Sequence, residues 1–116
     1  MGVLLCSELM ATDRARWLGQ DGAQVICVPR ATTDQEYWVV AARMAAIASG
    51  AFVLSSNRNG PGSTGEDTFG GRSLIVDPSG TLVGETSRGK PFATAEIDLG
   101  AADRAKGTYP RYLKMD

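Results

Sequence analysis

The sequence predicts an α/β domain built on a parallel sheet, and three observations carry that reading. Short apolar runs and helix-forming stretches alternate over residues 2–56 in the order β-α-β-α-β, which favours parallel strands joined by right-handed crossovers. The runs are continuous rather than alternating, as expected of strands covered on both faces. Gly, Pro and Asp punctuate the changes from one element to the next. With 116 residues, 43% hydrophobic and 22% charged, the chain is one domain with an independent core and too apolar to be disordered.

Gly2-Val3-Leu4-Leu5-Cys6 has a strand's composition and begins directly after Met1. A strand so placed is expected to be central, with neighbours on both sides. Thr12 or Asp13 then caps a helix to about Gln20, closed by Asp21-Gly22. Ala23–Val28 is a second buried strand, stopped by Pro29. Thr33 or Asp34 caps a longer helix to Ser49, with Gly50 just past its end and an apolar stripe through Val39, Val40, Arg43, Met44, Ala46 and Ile47. Ala51–Ser56 is the third strand, and Asn57–Gly71 a glycine-rich loop. A hairpin follows, Arg72–Val76 and Thr81–Glu85 around the turn Asp77-Pro78-Ser79-Gly80. Phe92–Ile97 reads as a last strand, Asp98–Lys106 as a weak helix, and Gly107–Asp116 as a polar tail.

Composition narrows the chemistry. The net charge is −1 and the charges are scattered, so neither a nucleic acid nor a membrane is an expected partner. There is no histidine, which removes Ser-His-Asp and Cys-His catalysis and argues against a zinc site. A general base must then be a carboxylate, a lysine or a group on another chain. Neither a cofactor nor a metal is expected. Two cysteines make no disulfide framework, so reduced thiols and a cytoplasmic location are expected.

Cys6 ends an apolar strand just before a helix-forming segment, the setting of a nucleophile turn. Backbone N–H groups there favour a thiolate and can hold an oxyanion. On position alone an inert core cysteine has a slight edge, since cysteine is among the most buried residue types. Cys27, inside its strand, reads as core. Trp17, Trp38 and Met44 read as packing residues, Arg72 and Asp77 as turn or surface chemistry, and Arg43 as partly inward-facing and in need of a carboxylate partner. Gly60-Pro61-Gly62-Ser63-Thr64-Gly65 matches G-x-G-x-x-G literally, but no helix opens after it to hold a pyrophosphate. A surface loop or substrate lid fits that stretch better.

Several segments, in this order, resemble the nitrilase superfamily of carbon–nitrogen hydrolases. They are Gly2–Glu8, Gly22–Pro29, Trp38–Arg43, Ala51–Asn57, Phe69-Gly70-Gly71-Arg72-Ser73 with Leu74–Gly80, and Ala95–Leu99. Together they span nearly the whole chain. Ala48-Ser49 departs from the Glu-Asn that many relatives carry. The resemblance implies that the chain is part of an α-β-β-α sandwich. It also implies hydrolysis of a small-molecule amide or nitrile through a cysteine acyl-enzyme, with Cys6 as nucleophile and the Ser7 backbone as oxyanion donor. Arg30 and Ala31 fall where the family lines its substrate pocket.

The family's glutamate base and its lysine come from the part of the fold before the cysteine strand, and no glutamate or lysine here matches those positions. The chain is therefore expected to be a partial domain over residues 1–116, inactive alone, that forms a homo-oligomer or pairs with the absent N-terminal half. Two other readings remain: a non-catalytic module that keeps the fold, and, with little weight, a nucleotide-binding domain resting on Gly60–Gly65.

Overall fold

The computed structural model describes residues 1–62 and 68–113. Its strands are β1 (Gly2–Val3), β2 (Val25–Arg30), β3 (Phe52–Asn57), β4 (Asn59–Pro61), β5 (Thr68–Gly70), β6 (Leu74–Val76) and β7 (Leu82–Glu85). Five of them form one sheet in the order β1-β2-β3-β6-β7. The first three are parallel and the last two antiparallel. The short strands β4 and β5 pair with each other apart from the main sheet. The helices are α1 (Thr12–Gln20), α2 (Glu36–Ser49) and α3 (Leu99–Ala105). The mixed α/β class and the β-α-β-α-β opening are as the sequence predicts.

The core lies on one face of the sheet. Ile26 and Val28 of β2, Val53 of β3 and Leu74 and Val76 of β6 are fully buried there beneath α1 and α2. Each such side chain stabilises the fold by about 1.5–3 kcal/mol through lost water contact. The opposite face is open: Val3 is 54% and Val83 44% exposed, and Cys27, Leu54 and Ile75 are half-buried. Continuous apolar runs thus mark strands of which this chain covers only one side.

Several expectations are corrected. The first strand is only two residues long, shorter than expected, and among the described residues it pairs on one side only; Gly2 and Leu4 are buried while Val3 and Leu5 face solvent. Cys27 lines the open face rather than sitting in the core. Pro29 does not stop β2. The Cys27 carbonyl accepts from Leu4 N–H at 3.0 Å, so Pro29, two residues on, also turns its backbone toward β1. There β1 has already ended, and no partner needs the missing N–H. The caps of α1 and α2 are Ala11 and Gln35, and neither bonds through its side chain.

The stripe on α2 is also different. Trp38, Val39, Ala41, Ala42, Ala45 and Ala46 face inward, whereas Val40 is 60% and Met44 41% exposed. The alanines let the helix lie close to its neighbours, and closeness rather than residue size chooses the buried face. Trp17 is exposed. Arg43 is exposed too, and its Nε donates to the Gly80 carbonyl at 2.7 Å instead of a carboxylate. Asn57–Gly71 is not all loop, since it contributes β4 and β5; residues 63–67, which include the end of the Gly60–Gly65 pattern, lie outside the described residues. Phe92–Ile97 forms no strand. Phe92 is 85% exposed.

Candidate active site

The carboxyl ends of β1, β2 and β3 converge on one edge of the sheet, the edge at which parallel α/β folds place their chemistry. Cys6 stands at the end of β1. The Leu5 carbonyl accepts from Glu8 N–H at 2.9 Å, and the Glu8 carboxylate returns to accept from Leu5 N–H at 2.8 Å. This closes a tight 3-10 turn over Cys6–Met10. Cys6 opens it with φ 44°, the only positive φ of a non-glycine residue among those described. A side chain held in that region costs about 1–2 kcal/mol, so the surrounding bonds must hold it there. As first residues of the turn, Cys6 and Ser7 have N–H groups without a partner inside it. Cys6 is half-buried and packed on the core, and Ser7 is exposed.

Arg30 ends β2. The β1–β2 pairing runs to Val3 opposite Cys27, and Cys6 beyond it lies near enough to Arg30 to be among the groups that act on the guanidinium. The Arg30 side chain turns into the helix-covered face, where the residue is 7% exposed. Its guanidinium donates to Ser55 Oγ at 2.5 Å, Thr32 Oγ1 at 2.8 Å and the Arg72 carbonyl at 2.7 Å. It also lies over the Trp38 ring, 5.5 Å from the centroid. Burial pulls its pKa below the ordinary value, and the nearby Asp34 carboxylate, with Cys6 after it, opposes that pull. Each of its three nitrogens thus donates one hydrogen bond, which offsets part of the cost of burying a cation. Ala31, next in sequence, is exposed.

Three residues tie this edge together: Thr32, which the sequence reading left unremarked, Asp34, which it read as a helix cap, and Asn57, which it read as turn chemistry with possible ligand groups. Asn57 ends β3; its Oδ1 accepts from Thr32 N–H at 2.9 Å and its Nδ2 donates to the Thr32 carbonyl at 3.0 Å. Asp34 Oδ1 accepts from Arg72 N–H at 3.1 Å. The Asp34 carboxylate also fills the space that a side chain on Gly70 would need, so the Gly70-Gly71-Arg72 run is glycine-rich for close approach. Arg72 bridges Glu85 at 2.8 Å and Glu36 at 3.2 Å, and these bonds, Glu85 first, raise its pKa. Thr32, Asp34 and Asn57 carry no periodic or motif signal. Their one legible trait is a capping or turn composition after a strand.

Several of the remaining acids and amines are committed elsewhere. Glu8 also pairs with Arg14 at 3.3 Å. Lys106 Nζ donates to the Ala23 and Ser49 carbonyls at 2.6 and 2.9 Å, and burial lowers its pKa. Lys90 sits in the exposed turn that pairs with Ser87. Among the described residues, no carboxylate or lysine stands free beside Cys6. On the open sheet face, next to β1, a cleft of about 510 Å³ is lined by Val3, Cys27, Pro29, Leu54, Ser56 and Ala93 among others.

A cysteine held at positive φ on a strand-end turn and a buried arginine bonded to the Gly-Gly-Arg-Ser loop make up the candidate site. The carbon-nitrogen hydrolase family model matches residues 1–106, and the chain belongs to that family. The deaminated glutathione amidase of Mus musculus is 30% identical over 102 residues, 85% of this chain and 31% of the relative. A carbon-nitrogen hydrolase from Helicobacter pylori G27 shares the fold, with TM-score 0.83 at 24% identity, over 94% of this chain and 44% of its own. A mutant of the amidase from Nesterenkonia sp. AN1 matches at TM-score 0.67 and 28% identity, over 73% of this chain and 32% of its own; it shows covalent addition of the acetamide moiety of fluoroacetamide at the active site cysteine. The chain spans about a third of the length of the deaminated glutathione amidase it matches.

Proposed function

We propose that this chain carries the nucleophile of a carbon–nitrogen hydrolase acting on a small amide. The observation behind this is Cys6 itself, held at positive φ on a strand-end turn with free N–H groups around it. Attack by the Cys6 thiolate on the carbonyl carbon forms a C–S bond and an oxyanion. The N–H groups of Cys6 and Ser7 are the donors for that oxyanion. Its collapse breaks the C–N bond, the amine leaves with a proton, and water then cleaves the thioester to acid and thiol. A nitrile would enter the same sequence as a thioimidate. The two amidases similar to this chain favour the amide.

Glu8, Glu36, Glu85 and Lys106 are already committed, which supports a base and a proton donor for the amine supplied from outside the described residues. A second copy, or a complementary segment laid against the open sheet face, completes the site. The chain alone acts as a nucleophile without turnover. An activated ester such as p-nitrophenyl acetate needs no proton for its leaving group, so it acetylates Cys6 once and stops. Peptide mass spectrometry reads the outcome: acetyl on Cys6, absent in Cys6→Ala. Acetylation confined to Cys27 or lysines refutes the nucleophile assignment. Steady release of ammonia from amides by the chain alone refutes the incomplete site.

A non-catalytic module that keeps the fold is the second reading, favoured by the same commitment of the acids and lysines. It predicts that Cys6 takes up no acetyl group.

A further inference from the structure

We propose that Glu8 is a positioning residue of the nucleophile turn: its carboxylate holds the N–H groups of Cys6 and Ser7 in place for the oxyanion. This rests on Cys6 being the nucleophile. Glu8 closes the turn with three bonds. Its N–H donates to the Leu5 carbonyl at 2.9 Å, its carbonyl accepts from Ala11 N–H at 3.0 Å, and its Oε1 accepts from Leu5 N–H at 2.8 Å. Of the three, only the last is made by a side chain. It ties the residue just before Cys6 to the residue just after Ser7, so Cys6 and Ser7 are the two residues it encloses. The other carboxylate oxygen, Oε2, accepts from Arg14 at 3.3 Å.

The ends of the turn are fixed without the Glu8 side chain. Leu4 N–H donates to the Cys27 carbonyl at 3.0 Å, and Leu4 and Leu9 are both buried in the core. These anchors hold the segment on the sheet but leave the dihedrals between them to local bonds. Cys6 takes φ 44° there, a left-handed residue opening a right-handed 3-10 turn. Successive N–H groups in such a turn converge into an anion-binding concavity. A side chain is disfavoured at that φ, so without the Glu8 bond Cys6 relaxes toward negative φ and the two N–H groups diverge. The thiol stays at the strand end, because Leu4 and Leu9 still anchor it. Loss of the Glu8 acceptor therefore harms the step that makes an oxyanion more than it harms the thiol.

The test compares two reactions of Cys6 in the full chain. Acetylation by p-nitrophenyl acetate passes through an oxyanion: the thiolate bonds the carbonyl carbon, and p-nitrophenolate leaves with the electrons of the C–O bond. Alkylation by iodoacetamide displaces iodide at a saturated carbon and makes no oxyanion. Peptide mass spectrometry reads both rates at Cys6. Glu8→Ala is expected to slow acetylation about tenfold, the low end for losing a hydrogen bond to a charged group, and to leave alkylation nearly unchanged. Glu8→Gln keeps an acceptor oxygen at the same reach and restores most of the acetylation rate. Glu8→Met keeps the length without the oxygen and behaves as Glu8→Ala; it decides the matter if Glu8→Ala does not fold. Unchanged acetylation in Glu8→Met, an equal fall in both reactions, or no rescue by Glu8→Gln overturns the role of Glu8 and leaves the nucleophile standing. If the wild-type chain takes no acetyl group on Cys6, the nucleophile assignment falls and the role of Glu8 with it.

Discussion

Gly19→Ala sets helix propensity against tertiary packing. Gly19 lies inside α1, where alanine is favoured over glycine by about 1 kcal/mol. By propensity alone the substitution stabilises. In the fold, a Cβ at Gly19 would meet the backbone of Ser49 at the end of α2, 2.6 Å from its Cα and 2.7 Å from its carbonyl carbon. Ordinary carbon contacts are about 3.5–4.0 Å. Neither atom belongs to a side chain that can rotate away. Ser49 is held in turn: its Oγ donates to the Ala45 carbonyl at 2.7 Å, and Lys106 reaches its carbonyl at 2.9 Å. The helices must separate by about 1 Å, an overpacking cost at the upper end of the usual range, about 3 kcal/mol. Subtracting the propensity gain leaves about 2 kcal/mol of net destabilisation. For a domain of this size that lowers Tm by roughly 8 °C. Urea unfolding followed by circular dichroism measures it, with Gly89→Ala as control, since a Cβ there meets nothing within 4 Å. A neutral or stabilised Gly19→Ala would show that α1 and α2 do not meet at this point.

Strain at Cys6 predicts that Cys6→Gly is more stable than Cys6→Ala by about 1 kcal/mol, although both lack the thiol; paired urea titrations decide the order. Ser55→Ala leaves the buried Arg30 Nε without its acceptor and should cost about 1–3 kcal/mol in the same assay, whereas Ser56→Ala, at an exposed neighbour, should be near neutral. At the start of α3, Arg104 and then the Gly100 N–H hold the Asp98 carboxyl below its ordinary pKa of 3.8. A lowered acid pKa stabilises the fold above the unfolded value and loses that effect as pH falls through the folded one. Wild type should therefore exceed Asp98→Asn in stability at neutral pH, and the two curves should converge below pH 3.8; a gap that persists in acid refutes the ion pair.

Sequence reading succeeded where local chemistry and local structure coincide. The turn at Asp77–Gly80 was legible because Asp77 Oδ1 bonds the N–H groups of Ser79 and Thr81, a contact within five residues. Gly50 was legible as the end of α2 because the chain turns there at φ 67°. The cysteine at a strand end was legible as a candidate because the turn that strains it, Leu5 to Glu8, is also local. Reading failed where the outcome depends on partners distant in the chain. Phe92–Ile97 has strand composition, yet a strand exists only when another edge accepts it. Val40 and Met44 carry the hydrophobic signal of α2, yet the alanines were buried because the sheet and α1 come close on that side.

By itself the sequence determined the α/β class, the parallel opening, the family and the position of the one thiol at a strand end. Those follow from residue order and from short-range backbone preferences. Only the tertiary structure decided that β1 pairs only with β2 in this sheet, and that Arg30 is buried against Ser55, Thr32 and Arg72. Each of these depends on strand register between segments more than twenty residues apart. Register is set by the packing of one sheet face under the helices, which no local stretch of sequence contains.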